Sequence, residues 1–145
     1  MNKKIFIIFM LTFLLVGCGL KYSPLGDDAI AFKVKEYTYS NDSYLAIEYN
    51  DRIYIPYGNL KYDVSKKDIN KCIGYIVQDE NVTSIPSESD TTRVYTLTDD
   101  PDENYLMVYY IETTLMNQLF FYRAVDTFGK EIKTPKFIDT NSYGY

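Results

Sequence analysis

The stretch Tyr44-Leu45-Ala46-Ile47-Glu48-Tyr49-Asn50-Asp51-Arg52-Ile53-Tyr54-Ile55 carries the clearest structural signal in the chain. Leu45, Ile47 and Tyr49 alternate with Tyr44, Ala46 and Glu48, the two-residue period of a half-buried strand. Asn50-Asp51 is a two-residue turn candidate, and Arg52 to Ile55 resumes the extended pattern, so the stretch reads as a tight hairpin. Upstream, Ile30, Phe32 and Val34 alternate with Ala31, Lys33 and Lys35, and Ser40-Asn41-Asp42-Ser43 is a turn cluster. Downstream, Pro56-Tyr57-Gly58-Asn59 is expected to end the hairpin, and Ser65-Lys66-Lys67-Asp68 to cap one helical turn. Further strands are expected at Cys72–Gln78, Arg93–Leu97, Tyr105–Ile111 and Leu119–Ala124. Residues 79–91 read as a polar, acidic loop, Gly129 marks a turn, and the tail from Lys133 is extended around Pro135. No segment holds a helical period for three turns. The expectation is a mainly β fold, a single small antiparallel sandwich or strongly bent sheet with little helix, over residues 30–145.

Composition narrows the function classes. The chain has 145 residues, 46% hydrophobic and 24% charged, which suits one globular domain with its own core. It has no His, which removes Ser-His-Asp and Cys-His nucleophilic sites and imidazole zinc sites. The net charge of −5 argues against a nucleic-acid partner. Neither a phosphate-binding Gly-rich loop nor a nucleophile motif is present, so no catalytic residue and no cofactor is expected.

The first residues have a different character. Lys3 and Lys4 precede the run from Ile5 to Val16, which is apolar except for Thr12. That run is too short to span a bilayer and has the length of a signal-peptide core. It ends Leu15-Val16-Gly17-Cys18, and here the sequence resembles the lipobox of bacterial lipoproteins. The resemblance implies a diacylglycerol on the Cys18 thiol, which labelled palmitate would mark, and cleavage just before it. On that reading residues 1–17 are a signal peptide, 18–29 a lipidated N-terminus and tether, and 30–145 an extracytoplasmic domain on the cell membrane. Two acyl chains bury enough methylene groups for stable anchoring. Loss of Lys3 and Lys4 shifts the charge from −5 to −7, so an anionic lipid surface repels the mature domain rather than adsorbing it. Lipidation of Cys18 leaves Cys72 without an internal disulfide partner, and its apolar neighbourhood suits a buried thiol.

Three groups of residues are candidates for binding. Asp99, Asp100, Asp102, Glu103 and Asn104 cluster around Pro101, but the spacing lacks the Gly and distal Glu of a calcium loop, so a turn is expected and no metal site. The 16 tyrosines offer flat faces with hydroxyls, suited to saccharide or protein surfaces. Only three arginines stand against twelve lysines, each in an expected strand with a tyrosine near it. Arg52, Arg93 and Arg123, with Tyr54 and Tyr95, could share one face for an acidic or sugar ligand, since Arg supplies a bidentate fork and stacks on rings. Asp51-Arg52-Ile53-Tyr54-Ile55-Pro56-Tyr57-Gly58, Cys72-Ile73-Gly74-Tyr75 and Tyr122-Arg123-Ala124 resemble segments of small uncharacterised lipoproteins of low-GC Gram-positive bacteria, a likeness that implies no activity. The functional expectation is a membrane-anchored, non-catalytic binding module for an envelope protein or saccharide. The alternative is a small His-independent hydrolase acting on an envelope glycan or peptide.

Overall fold

The computed structural model describes residues 23–77, 92–110 and 118–140. They form one strongly curled, mostly antiparallel sheet, a half-barrel, with helix confined to two single turns. Of the two expected forms, the bent sheet is therefore the one adopted. Its strands are β1 Ile30–Lys33, β2 Lys35–Tyr39, β3 Asp42–Tyr49, β4 Arg52–Leu60, β5 Ile69–Val77, β6 Arg93–Leu97, β7 Tyr105–Tyr110, β8 Gln118–Ala124 and β9 Ile138–Asp139. Across the sheet they run β1-β5-β6-β7-β8-β4-β3-β2, with β9 paired to β4.

The Asn50-Asp51 hairpin forms as its residues dictate. Both take positive φ, 49° and 58°, the conformation that matches a two-residue turn to the right-handed twist of its strands. Ser40 and Asn41 do the same between β2 and β3, at 51° and 72°. Ser65-Asp68 forms the expected helical turn, where the Asp68 carboxylate accepts from the Ser65 amide at 2.8 Å and hydroxyl at 2.6 Å. These bonds hold the Asp68 carboxyl below the usual carboxylate range.

Pro56 does not end the hairpin, because β4 continues to Leu60. A proline in a sheet needs a place where its missing N–H costs nothing. The β3–β4 ladder stops at Ile47–Tyr54, so β3 has left before Pro56 is reached. On the other side, the β4–β8 register shifts between Pro56 and Gly58. Two further shifts in β5, at Ile69/Lys71 and Cys72/Gly74, bend that strand. Such bulges increase local twist, and here they curl the sheet.

Curling brings the two ends of the strand order together. β1 pairs parallel with β5, from Ile30–Gly74 to Lys33–Val77. After Val34 the same backbone becomes β2 and pairs antiparallel with β3, from Lys35–Ala46 to Tyr39–Asp42. One segment thus serves both edges. Gly74 permits the closure, since a Cβ there would strike the Ile30 carbonyl oxygen and lie 2.8 Å from its nitrogen.

Strand alternation sorts the core into two layers. Phe32, Ile47, Tyr54, Ile73, Val94, Leu106, Val108 and Ala124 fill the inside of the curl, drawn from seven strands. Tyr57, Tyr95, Leu97, Tyr105, Met107, Tyr109 and Phe121 face the other way and are covered by Val64, Phe137 and Ile138. The tail is fixed there by Lys61 N–H donating to the Phe137 carbonyl at 2.8 Å and by the Phe121–Phe137 ring contact at 5.5 Å. Both faces are apolar because both are covered.

Replacing Gly74 by Ala should force β1 from β5. Overpacking against backbone costs on the order of 3 kcal/mol, a fall in Tm of roughly 10 °C for a domain this size. Thermal unfolding followed by circular dichroism measures it, and an unchanged Tm would show that the Ile30–Gly74 contact is not as close as described.

Candidate functional site

The three arginines do not share a face. Arg52 lies at the end of the curl that carries the Asn50-Asp51 turn. Its Nη1 donates to the Asp102 and Glu103 carbonyls at 2.8 and 3.0 Å, and its Nη2 to Asn104 Oδ1 at 3.1 Å and Asp126 Oδ1 at 3.0 Å. Arg93 is fully buried at the opposite end of the sheet, with Nε donating to the Ser23 carbonyl at 3.0 Å. Arg123 is 8% exposed and lies over the rings of Tyr57, Tyr105 and Phe128 at 4.9, 5.8 and 4.8 Å. Its fork donates to Tyr57 Oη at 3.0 Å and to Thr127 Oγ1 and O at 2.9 and 2.8 Å. Each guanidinium ties a loop or terminal segment to the sheet. Rings and carbonyls can replace part of the hydration that a guanidinium loses on burial.

The two tyrosines also separate. Tyr54 points inside the curl and donates to the Glu103 carbonyl at 2.6 Å, and burial pushes its hydroxyl pKa up to about 12. Tyr95 belongs to the outer layer and accepts from the Ser23 amide at 3.4 Å. The expectation of one Arg/Tyr surface is therefore corrected. The sequence shows that these side chains can stack and fork, but not that they turn towards the protein itself.

The acidic cluster forms the expected turn between β6 and β7, with Asp99, Pro101 and Asp102 exposed and Asp100 buried. Asp100 is 5% exposed and accepts from Tyr105 N–H at 2.6 Å and Asn104 Nδ2 at 3.1 Å. Glu103 takes φ 51°, and its carboxylate accepts from Asn50 Nδ2 at 2.9 Å. Among the described residues no group of acids or thiols is arranged to hold a metal. Cys72 is half-buried, and burial raises its thiol pKa, which lowers its share of thiolate. Cys18 and residues 79–91 lie outside the described residues.

The candidate site lies at the end of the curl opposite Arg52. There Val34, Leu45, Ile76, Thr92, Val108, Tyr110, Phe120 and Tyr122 line an open cavity of about 420 Å³. It continues the inner layer outward, since Val34, Ile76, Phe120 and Tyr122 pack on that layer and Val108 belongs to it. β3 parts from β4 above Ile47, and this leaves Leu45 on the rim at 62% exposure. Strand alternation predicts that Leu45 is as buried as Ile47, and the parting of the strands is why it is not. Among the described residues the lining has hydroxyls at Thr92, Tyr110 and Tyr122 and no charged side chain. An apolar concavity of this size with a few hydroxyls is the form of a small-ligand site in the mouth of a β-barrel. Val34, Leu45 and Tyr122 lie in stretches singled out from the sequence, but no spacing along the chain brings them together, because the lining converges from separate strands.

Arg93→Lys and Arg123→Lys keep the charge but lose the planar fork and the stacking. Each should cost about 2 kcal/mol or more, because buried partners lose their donors. Arg52→Lys, more exposed, should cost nearer 1 kcal/mol. Urea midpoints measure this, and unchanged midpoints for Arg93→Lys and Arg123→Lys would contradict the structural role.

Comparison with protein-family models finds no match, and none is found among curated proteins or solved structures, so the site is read from its own geometry.

Proposed function

We propose that the chain is a lipid-anchored protein of the bacterial cell envelope whose domain is a non-catalytic module that binds an apolar small ligand in the mouth of the curl. The observation that carries this reading is the cavity itself: apolar walls from six strands or their joints, open to the outside, with an exposed Leu45 on its rim. The lipobox Leu15-Val16-Gly17-Cys18 supports the anchor. Because the three arginines are separated and turned to loops or termini of the protein itself, this reading uses the cavity and not the Arg/Tyr face expected from sequence. A ligand in the mouth would cover Leu45 and remove its side chain from water, which contributes about 1–2 kcal/mol.

The mature chain carrying Cys18→Ser should bind a neutral naphthylamine dye with enhanced fluorescence. Leu45→Asp should weaken that binding about tenfold or more, since it places a charge on an apolar rim, while leaving Tm unchanged because the side chain is exposed. In cells, labelled palmitate should enter the wild-type chain and not Cys18→Ala. Equal dye binding by the Leu45→Asp variant would move the ligand site elsewhere, and palmitate incorporation by Cys18→Ala would remove the anchor.

A further inference from the structure

We propose that the β2–β3 hairpin is a lid over the mouth, held open by the packing of Tyr39 on Phe128. As a control on ligand entry, this rests on the reading of the mouth as the ligand site. The hairpin stands apart from the sheet that carries it. β3 pairs with β4 only from Tyr49 to Ile47, and among the described residues β2 has β3 as its one strand partner. The base of the hairpin is fixed at two points. Lys33 is paired with Val77 just before the Val34 joint, and Ile47 is paired with Tyr54. Between these points every paired position, from Lys35–Ala46 to Tyr39–Asp42, joins the hairpin to itself. Its polar ties do the same: Ser43 Oγ donates to Glu36 Oε1 at 2.6 Å, and Lys35 Nζ to Glu48 Oε2 at 3.1 Å. A two-stranded ribbon tied in this way turns as a unit about its base, and such a ribbon is marginal without contacts on its faces.

Strand alternation gives the two faces different neighbours. Tyr37 and Tyr39 share one face with their partners Tyr44 and Asp42, whereas Glu36 and Leu45, paired opposite one another, point the other way. The face of Leu45 is turned to the mouth, where Leu45 and the Val34 joint line the cavity. The ring of Tyr39, on the opposite face, lies 5.0 Å from that of Phe128. Phe128 is itself held in the outer cover, with the Tyr57 ring at 5.8 Å and the Arg123 guanidinium at 4.8 Å. The Tyr39–Phe128 contact therefore holds the tip of the hairpin towards the outer cover and away from the mouth.

Leu45 supplies the opposing tendency. It is an apolar side chain, 62% exposed, beside an apolar cavity. Turning the hairpin inward about its base brings Leu45 onto the cavity walls and removes it from water, the direction that the hydrophobic effect favours. An aromatic pair biases such an equilibrium by roughly two- to tenfold. A ligand that fills the mouth occupies the space that Leu45 would take, so it binds the open state alone and shifts the balance further towards it.

The chain contains no Trp, so Leu45→Trp places a unique fluorophore on the lid. The mature chain carrying Cys18→Ser and Leu45→Trp is compared with the same chain carrying Tyr39→Ala or Tyr39→Phe. The expected result is that Tyr39→Ala moves the Trp emission to shorter wavelength and lowers its quenching by acrylamide, while Tyr39→Phe, which keeps the ring, matches the parent. Tyr39→Thr, a strand former without a ring, repeats the measurement if the Ala variant loses β structure by circular dichroism. With Leu45 retained, Tyr39→Ala should also weaken binding of the neutral naphthylamine dye about two- to tenfold, because only the open fraction binds. Trp emission that is unchanged or shifted to longer wavelength would overturn the lid, and dye binding by the parent chain would then leave the ligand-site reading standing. A shifted emission with undiminished dye binding would overturn the control on entry. A parent chain that binds no dye would defeat the ligand-site reading, and the control on entry with it.

Discussion

One stretch of backbone, Ile30–Tyr39, holds both edges of the sheet. A sheet of this size that is not closed presents two rows of unpaired amides and carbonyls, a template for aggregation. Here the chain fills one edge as β1 and the other as β2, with Val34 as the joint. The closure depends on Gly74, where Ile30 approaches too closely for any side chain. It also depends on the bulges in β4 and β5, which bend the strands enough for the edges to meet. Because β1 is paired parallel and β2 antiparallel, the joint cannot be replaced by a simple hairpin. The cavity exists because the closure is partial: β3 follows β2 away from β4, and the inner layer is left open above Ile47.

The burial of Arg93 and Arg123 follows from a two-sided sheet. The inner face has the curl to cover it, whereas the described cover of the outer face is largely irregular chain around Val64 and Phe137, with the short strand β9 at Ile138. Segments without regular structure bring carbonyls that need donors. Arg supplies several donors in one plane, and its stem and ring stacking satisfy the apolar surroundings. Arg123 thus gathers Thr127 and Tyr57, and Arg93 gathers Ser23. Arg52 performs the same task for the 102–104 turn in a more exposed place. The high tyrosine content has a related use. Tyr54, Tyr95 and Tyr105 fill core volume with their rings and place a hydroxyl on a carbonyl, an amide or Thr134 at the boundary.

Local pattern is enough to read β1, β3, the start of β4 and β5 to β8, both tight turns and the Ser65–Asp68 turn, but not β2 or β9. The two-residue period and the turn residues act over a few positions, and the sequence displays those directly. Pro56 was misleading because its tolerance depends on where β3 parts from β4, a tertiary fact. Leu45 was misread for the same reason. The arginines were recognised as unusual, yet their direction depends on which loops cover the outer face. The mouth was not legible. Its lining comes from β3, β5, β7, β8 and two joints, and no spacing along the chain records their convergence.

The Ser23 contacts and the apolar cavity are thus joined through one closing segment, Ile30–Tyr39. If that segment is integral to the fold, β1 should open only when the whole domain opens. Native-state amide hydrogen exchange reads this directly, since local openings appear below the global unfolding free energy. The account predicts that the amides of Ala31–Lys33 exchange with the same free energy as those of Leu106–Val108 at the centre of the sheet. Exchange of Ala31–Lys33 at a much lower free energy, with Leu106–Val108 still protected, would show that the curl stands without its closing strand.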